Sequence, residues 1–384
     1  MFLDLDANAT YSCHEELQGV IAAAVSSLGN PSALHRGGQR ARAAIEEART
    51  AVRDLLGAGQ HEQVIFTSGA TEANNTIIAS AAAVEGSLVS SAIEHPCVLG
   101  PLRALQQAGR DVRFVSPNGV GEVTVESVDE VVSSDVSFVS IMAANNETGV
   151  INDIGSIARH VRARVPNAVI HTDASQCIGK MEMSFSGLGV DALTISGHKF
   201  GSLTGVGALV VRAGASLQPL LIGGSQESKL RGGTENVLGI ISLGAAAREI
   251  INTLPQRMEH MRALRDYFES ELMRNLSGCE MNGNTGDRLP NTSSVFVEGV
   301  RGDDLVVALD LEGILVSSGA ACSSGKPEPS HVLLAMGQVE NRVRSTIRVS
   351  FRADQSSADV DRAVDAIVRA THRMRGYQGG ERAA

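Results

Sequence analysis

AVIHTDASQCIGKMEMSFSGLGVDALTISGHKFGSLTGVGALVV, residues 168–211, decides the fold. It holds three short apolar runs, AVIH at 168–171, DALTI at 191–195 and GALVV at 207–211, each the length of a buried strand. Ahead of the first run IGSIARHVRAR has helical periodicity, and further upstream come VIF at 64–66, LVSSA at 88–92, VRFV at 112–115 and SFVSIMA at 137–143. Strands that alternate with helical stretches argue an α/β fold with a mostly parallel sheet covered by helices on both faces. The run from 38 to 56 supplies one such helix, with Ile45, Ala48, Val52 and Leu55 on a single stripe.

After Pro255 the pattern changes. A long charged helix over RMEHMRALRDYFESELMRN is followed by the strand-like SSVFVEG, the helical DDLVVALDLEG, the strand-like STIRVSF and a last helix from about 357 to 375. The reading is two domains: a large one over 16–252, and a smaller α+β one built from 1–15 and 253–376. Residues 377–384 are read as a frayed tail.

Ligands of open α/β sheets sit at the carboxyl ends of the strands, and polar groups cluster there in this chain. Strand VIF runs into Ser68-Gly69-Ala70-Thr71 and a helix, whose free N–H groups make an anion site; an ordinary turn capped by Thr71 is the alternative. The strand before Asp173 ends in HTDASQ, with Gln176 three residues on. Such a carboxylate either caps the following turn or meets a cation, and a protonated pyridine nitrogen would serve as one. The next strand ends in Ser196, His198 and Lys199, and a lysine in a partly buried cleft becomes an amine nucleophile for a carbonyl cofactor, although most lysines are simply solvated. His95, after LVSSA, would stack on a planar ring or serve a structural role. Cys322, in SSGAACSSGKPEPSHV, is flanked by small and polar residues, as reactive thiols are.

The remaining cysteines, Cys13, Cys97, Cys177 and Cys279, are read as packing residues; with no CxxC pair, neither a disulfide framework nor a metal site is indicated. A net charge of -10 over 384 residues argues against binding nucleic acid or anionic membranes. The acidic start and the want of a long unbroken apolar stretch lead to the expectation of a cytoplasmic protein.

Taken together these blocks resemble the cysteine desulfurases of the class V aminotransferase family, the nitrogen-fixation and iron–sulfur-cluster type group of fold-type I pyridoxal-phosphate enzymes. The resemblance runs through LDANAT at 5–10, NPSALHRGG at 30–38, TSGATEANN at 67–75, NNETGV at 145–150, HTDASQ at 171–176, SGHK at 196–199, RGGTEN at 231–236, SSGAAC at 317–322 and IRVSF at 347–351. It implies pyridoxal phosphate held as a Schiff base by Lys199, with Asp173 on the ring nitrogen, Gln176 on the ring hydroxyl and His95 over the ring. Ala70, Thr71, Ser196 and His198 would hold the phosphate, joined by Thr234 from the second subunit of a homodimer. Asn146 and Arg348 would fix the substrate carboxylate.

Cys322 would take sulfur from L-cysteine as a persulfide, leaving L-alanine, and pass it to an acceptor protein. The stretch through Lys326 and Pro329 to His331 resembles that of the group whose cysteine lies on a long loop. Tyr11-Ser12, Gly232 and Ser225 depart from the family pattern without removing a chemical group. A selenocysteine lyase or aminotransferase would need Lys199 and Asp173 but not necessarily Cys322, and against a non-catalytic sulfur-relay scaffold stands the retention of every polar group named above.

Overall fold

The computed structural model describes residues 2–13, 15–25, 29–283, 286–319 and 328–381. Its strands are β1 (Leu3–Asp4), β2 (Gln63–Thr67), β3 (Ser87–Ser91), β4 (Val112–Val115), β5 (Val136–Ser140), β6 (Val169–Asp173), β7 (Ala192–Ser196), β8 (Gly207–Val211), β9 (Cys279–Met281), β10 (Thr292–Val297), β11 (Ile314–Leu315), β12 (Ser317–Ser318) and β13 (Thr346–Ser350). Seven form one sheet in the order β2-β8-β7-β6-β5-β3-β4. Only β8 is reversed, pairing antiparallel with β2 and β7, so the carboxyl ends of the other six strands share one edge. Every residue of β3, β7 and β8 is buried, which is why these strands read as continuous runs rather than alternating ones.

Helices Ala70–Ala82 and Pro96–Gln107 cover one face through Ile77, Ile78, Val98 and Leu102. Helices Arg36–Leu55 and Ile154–Arg164 cover the other through Ile45, Val52, Ile157 and Val161. A second sheet, β12-β13-β10-β9, is antiparallel throughout and β1 pairs with β11; their apolar side chains form a separate cluster with Phe268, Leu272, Ile367 and Phe351. The fold is α/β, as the sequence argued, with the large and small parts that the fold-type I resemblance implies.

The chain crosses between the two clusters on one helix, Val237–Asn275, where the sequence suggested a break at Pro255. Ile240, Leu243 and Ile250 join the large-sheet core, and Leu264, Phe268 and Leu272 the other. Pro255 deprives the carbonyl of Ile251 of its helical partner, but both residues are exposed there, so water can satisfy that oxygen. An 18-residue window of this helix reaches a mean hydropathy of 1.4, enough by length and composition for a membrane span, which the inspection for unbroken apolar runs missed. The last helix is longer than expected, Ser357–Glu381.

Candidate active site

At the shared strand edge a cavity of about 550 Å³ is lined by Ala70, Thr71, His95, Asn146, Asp173, Gln176, Ser196, His198, Lys199 and Arg348, all residues the sequence singled out. One end lies at the turn between β2 and helix Ala70–Ala82. Gly69 occupies the N-cap with φ 152° and ψ 179°, a backbone region open essentially to glycine, and no side chain caps the helix. The N–H groups of the first turn, Thr71 among them, are therefore left for a ligand. Gly207 makes the turn possible, because a Cβ there would meet the carbonyl carbon of Gly69 at 2.8 Å and the carbonyl oxygen of Ile195 at 2.7 Å. Opposite, Ser196 ends β7, and His198 Nδ1 lies 3.1 Å from Thr10 Oγ1. Burial, with Lys199 and Lys180 beside it, pulls the His198 imidazole down to about 4, so the ring is neutral at pH 7.

Asp173 closes the floor. It is 5% exposed, accepts hydrogen bonds from Asn74 Nδ2 at 2.7 Å and the Ser175 amide at 2.9 Å, and among the described residues makes no ion pair. A buried carboxylate that faces a cavity and has no ion-pair partner among the described residues suits a ligand that carries a cation, such as a pyridinium nitrogen. Asn74 also donates to Cys97 Sγ at 3.1 Å, and the same thiol is 2.9 Å from His95 Nδ1. His95 caps helix Pro96–Gln107, its Nδ1 accepting from the Cys97 amide at 3.2 Å, so the cap fixes the ring at the cavity wall. Burial lowers the His95 pKa, whereas burial and then Asp173 push the Cys97 thiol up to about 12. Cys97 is thus an inert thiol; reading it as a packing residue missed that it lines the cavity.

Lys199 Nζ donates to the carbonyls of Asn8 and Ala9, both at 2.8 Å, which holds the amine at the mouth of the β7 turn. The Asn8 carbonyl also accepts from Gln176 Nε2 at 3.0 Å. Arg348 from β13, which the resemblance assigns to the substrate carboxylate, donates to the Asn146 carbonyl at 2.9 Å and to Asp6 Oδ1 at 2.6 Å, while its buried Nε has no acceptor among the described residues. Arg348 lines the cavity, and a guanidinium there suits a ligand that carries a carboxylate.

Thr234 lies apart from the main cavity, in a neighbouring one of about 260 Å³ that shares Ser68 and Gly205 with it. Cys322 lies outside the described residues. The chain leaves from β12, where Ser317 Oγ bonds Asp6 and Arg348, and returns at Ser330, which donates to Glu147. His331 Nε2 then lies 2.9 Å from the Glu94 carbonyl, beside His95. Asn74, Lys180, Glu94 and Glu147 are buried parts of the site that sequence reasoning passed over, although Asn74 and Glu147 stand in the quoted TSGATEANN and NNETGV blocks.

An anion cradle at a helix start, a buried carboxylate and a lysine at successive strand ends of this sheet define a pyridoxal-phosphate enzyme of fold-type I. The aminotransferase class-V family pattern matches residues 3–363. A cysteine desulfurase of Trichormus azollae is 37% identical over 375 residues, covering 97% of this chain and 93% of its own length. The solved structure of a NifS-like protein superposes with a TM-score of 0.90 at 33% identity, covering 96% of this chain and 99% of that one. A structure titled SspA in complex with cysteine gives 0.80 at 30% identity, covering 93% and 100%. The chain belongs to the aminotransferase class-V family. Its activity is that of a pyridoxal-phosphate-dependent cysteine desulfurase, which converts L-cysteine to L-alanine and transfers the sulfur.

Proposed function

We propose that Lys199 carries the cofactor, that Asp173 and Gln176 hold its ring nitrogen and ring oxygen, and that Cys322 takes the sulfur. The observation that carries this reading is the convergence of Lys199 and an ion-pair-free, buried Asp173 on one cavity. Ala70, Thr71, Ser196 and His198 would hold the phosphate, and His95 would flank the ring. The bound cofactor supplies an electron sink for the substrate's α-carbon.

The protein's own groups do the rest. Arg348, braced by Asp6 and the Asn146 carbonyl, binds the substrate carboxylate and sets the amino group toward Lys199. The Lys199 amine moves the α-proton, and its two carbonyl acceptors keep it in reach of that position. The Cys322 thiolate attacks the substrate sulfur: a sulfur–sulfur bond forms, the substrate's carbon–sulfur bond breaks, and the electron pair returns to the alanine skeleton. The segment that carries Cys322 begins at a strand bonded to Arg348 and ends at a serine bonded to Glu147, which supports its action at this cavity.

The reading extends to a homodimer. Leu220, Leu221 and Ile222 are exposed, Ile222 by 89%, shortly before Thr234 and its separate cavity, which suits a second copy that receives Thr234. An acceptor protein in the cytoplasm would collect the persulfide sulfur, with iron–sulfur assembly as one destination. Incubation with L-cysteine and a thiol reductant tests the assignment: Cys322→Ala is expected to lose sulfide and alanine production together, and full-rate turnover in that variant would refute it.

A further inference from the structure

Lys180 is one of four lysines in the chain, and it is 1% exposed. A buried ammonium ordinarily has a carboxylate partner, yet among the described residues Lys180 makes no ion pair. Its Nζ has two acceptors, both neutral amide oxygens: Asn8 Oδ1 at 2.9 Å and Gln176 Oε1 at 2.7 Å. Burial above all, with the cations Lys199, Arg348 and Arg257 outweighing the Cys177 thiol that favours its charge, holds its pKa well below the usual lysine range. A neutral amine has two N–H donors, which match the two acceptors, whereas an ammonium would keep a third proton with nowhere to go.

The consequence falls on Gln176. Its Oε1 accepts from Lys180, and its Nε2 donates to the Asn8 carbonyl, so the two contacts select the same orientation of the amide. Reversed, the amide would set its oxygen against the Asn8 carbonyl, which has no proton to give, and would forfeit the hydrogen bond that Lys180 donates to Oε1. The second N–H of Gln176 has no protein acceptor among the described residues, and Gln176 lines the cavity. Asn8 is locked likewise, since its Oδ1 also accepts from Asn291 at 3.0 Å while its Nδ2 donates to Thr292 Oγ1 at 2.8 Å.

We infer that Lys180 is a positioning residue: as a neutral amine it fixes the Asn8 and Gln176 amides so that Gln176 presents an N–H to the cofactor's ring oxygen. This rests on the proposed contact between Gln176 and that oxygen. A donor at the ring oxygen makes it less basic and eases loss of the proton it shares with the lysine-linked nitrogen. Gln176→Leu is therefore expected to raise the pH midpoint of the visible absorption of the lysine-bound cofactor by about one to two units. Lys180→Met raises it to a similar extent, and the double variant no further.

A Gln176→Leu variant with an unchanged midpoint refutes the Gln176 contact and the inference together. A shift in Gln176→Leu with none in Lys180→Met, or additive shifts in the double variant, refutes the inference alone. Should Lys180→Met not fold, holoenzyme labelled with ¹³C at the lysine ε-carbon decides, with Lys229 and Lys326 assigned by arginine replacement. The Lys180 resonance is expected at the neutral-amine position at pH values where an ordinary lysine is still an ammonium. An ammonium signal there overturns the inference.

Discussion

Arg348 shows how much one side chain is asked to do. Its guanidinium holds the Asn146 carbonyl, Asp6 and Ser317 while it lines the cavity. A lysine offers a single point charge and cannot serve three partners, so Arg348→Lys should raise KM for L-cysteine roughly 10- to 100-fold. Alanine formation measured against cysteine concentration checks this, and an unchanged KM would remove Arg348 from the substrate site. Glu147 makes a second test. Burial raises its carboxyl to about 7 although Ser330 donates to it and Arg348 lies near. The folded state then holds that proton more tightly than the unfolded chain, so its contribution is intact below the ordinary value of 4.5 and stability falls as pH rises from there to about 7. Thermal denaturation should show Glu147→Gln gaining on the wild type between about pH 5 and pH 8; parallel curves would contradict the assignment. Residues such as Lys199 and Asp173 were legible because strand ends advertise them. Lys180 and Asn74 were not, since their roles depend on which amides and carboxylates the fold brings within 3 Å.

Among the elements, the turn between β2 and helix Ala70–Ala82 carries the most consequence. Gly207 on β8 admits the Gly69 backbone, and the atoms a new Cβ would meet are backbone atoms that cannot rotate away. Gly207→Ala should cost about 1–3 kcal/mol and weaken cofactor retention. Denaturant unfolding with a parallel cofactor titration measures both, and wild-type values would mean that the close approach is dispensable. The seven strands of the large sheet were all legible, because burial on both faces writes each as a short apolar run bounded by polar residues. What could not be read was the single reversed strand. GALVV at 207–211 looks like its neighbours, and only the short Gly-rich link after Lys199 hints at a direct return beside β7. The helix through Pro255 misled for the opposite reason: proline is a strong local breaker, and solvent exposure at that point, invisible in sequence, relieves its penalty.

For the whole molecule, the two apolar clusters meet along helix Val237–Asn275, with Arg348 brought from one sheet to the cavity edge of the other. This assembly accounts for the distance in sequence between Asp6, Asn146, Lys199 and Arg348, which only the family resemblance joined beforehand. The exposed Leu220–Ile222 strip and the neighbouring Thr234 cavity bear on the proposed homodimer. Ile222→Glu should give a particle of one 40.2 kDa chain that loses cofactor on dialysis, read by light scattering and visible absorption. A stable dimer, or a monomer that keeps its cofactor, would separate Thr234 from the site.

The central claim joins a cofactor at Lys199 to a sulfur-accepting Cys322. Mass spectrometry of holoenzyme treated with one equivalent of L-cysteine in the absence of reductant tests it most directly. The account predicts one added sulfur atom on the peptide that contains Cys322, formed together with alanine and absent in Lys199→Ala. Added sulfur on Cys97 instead, or alanine formed with no sulfur retained on Cys322, would contradict it.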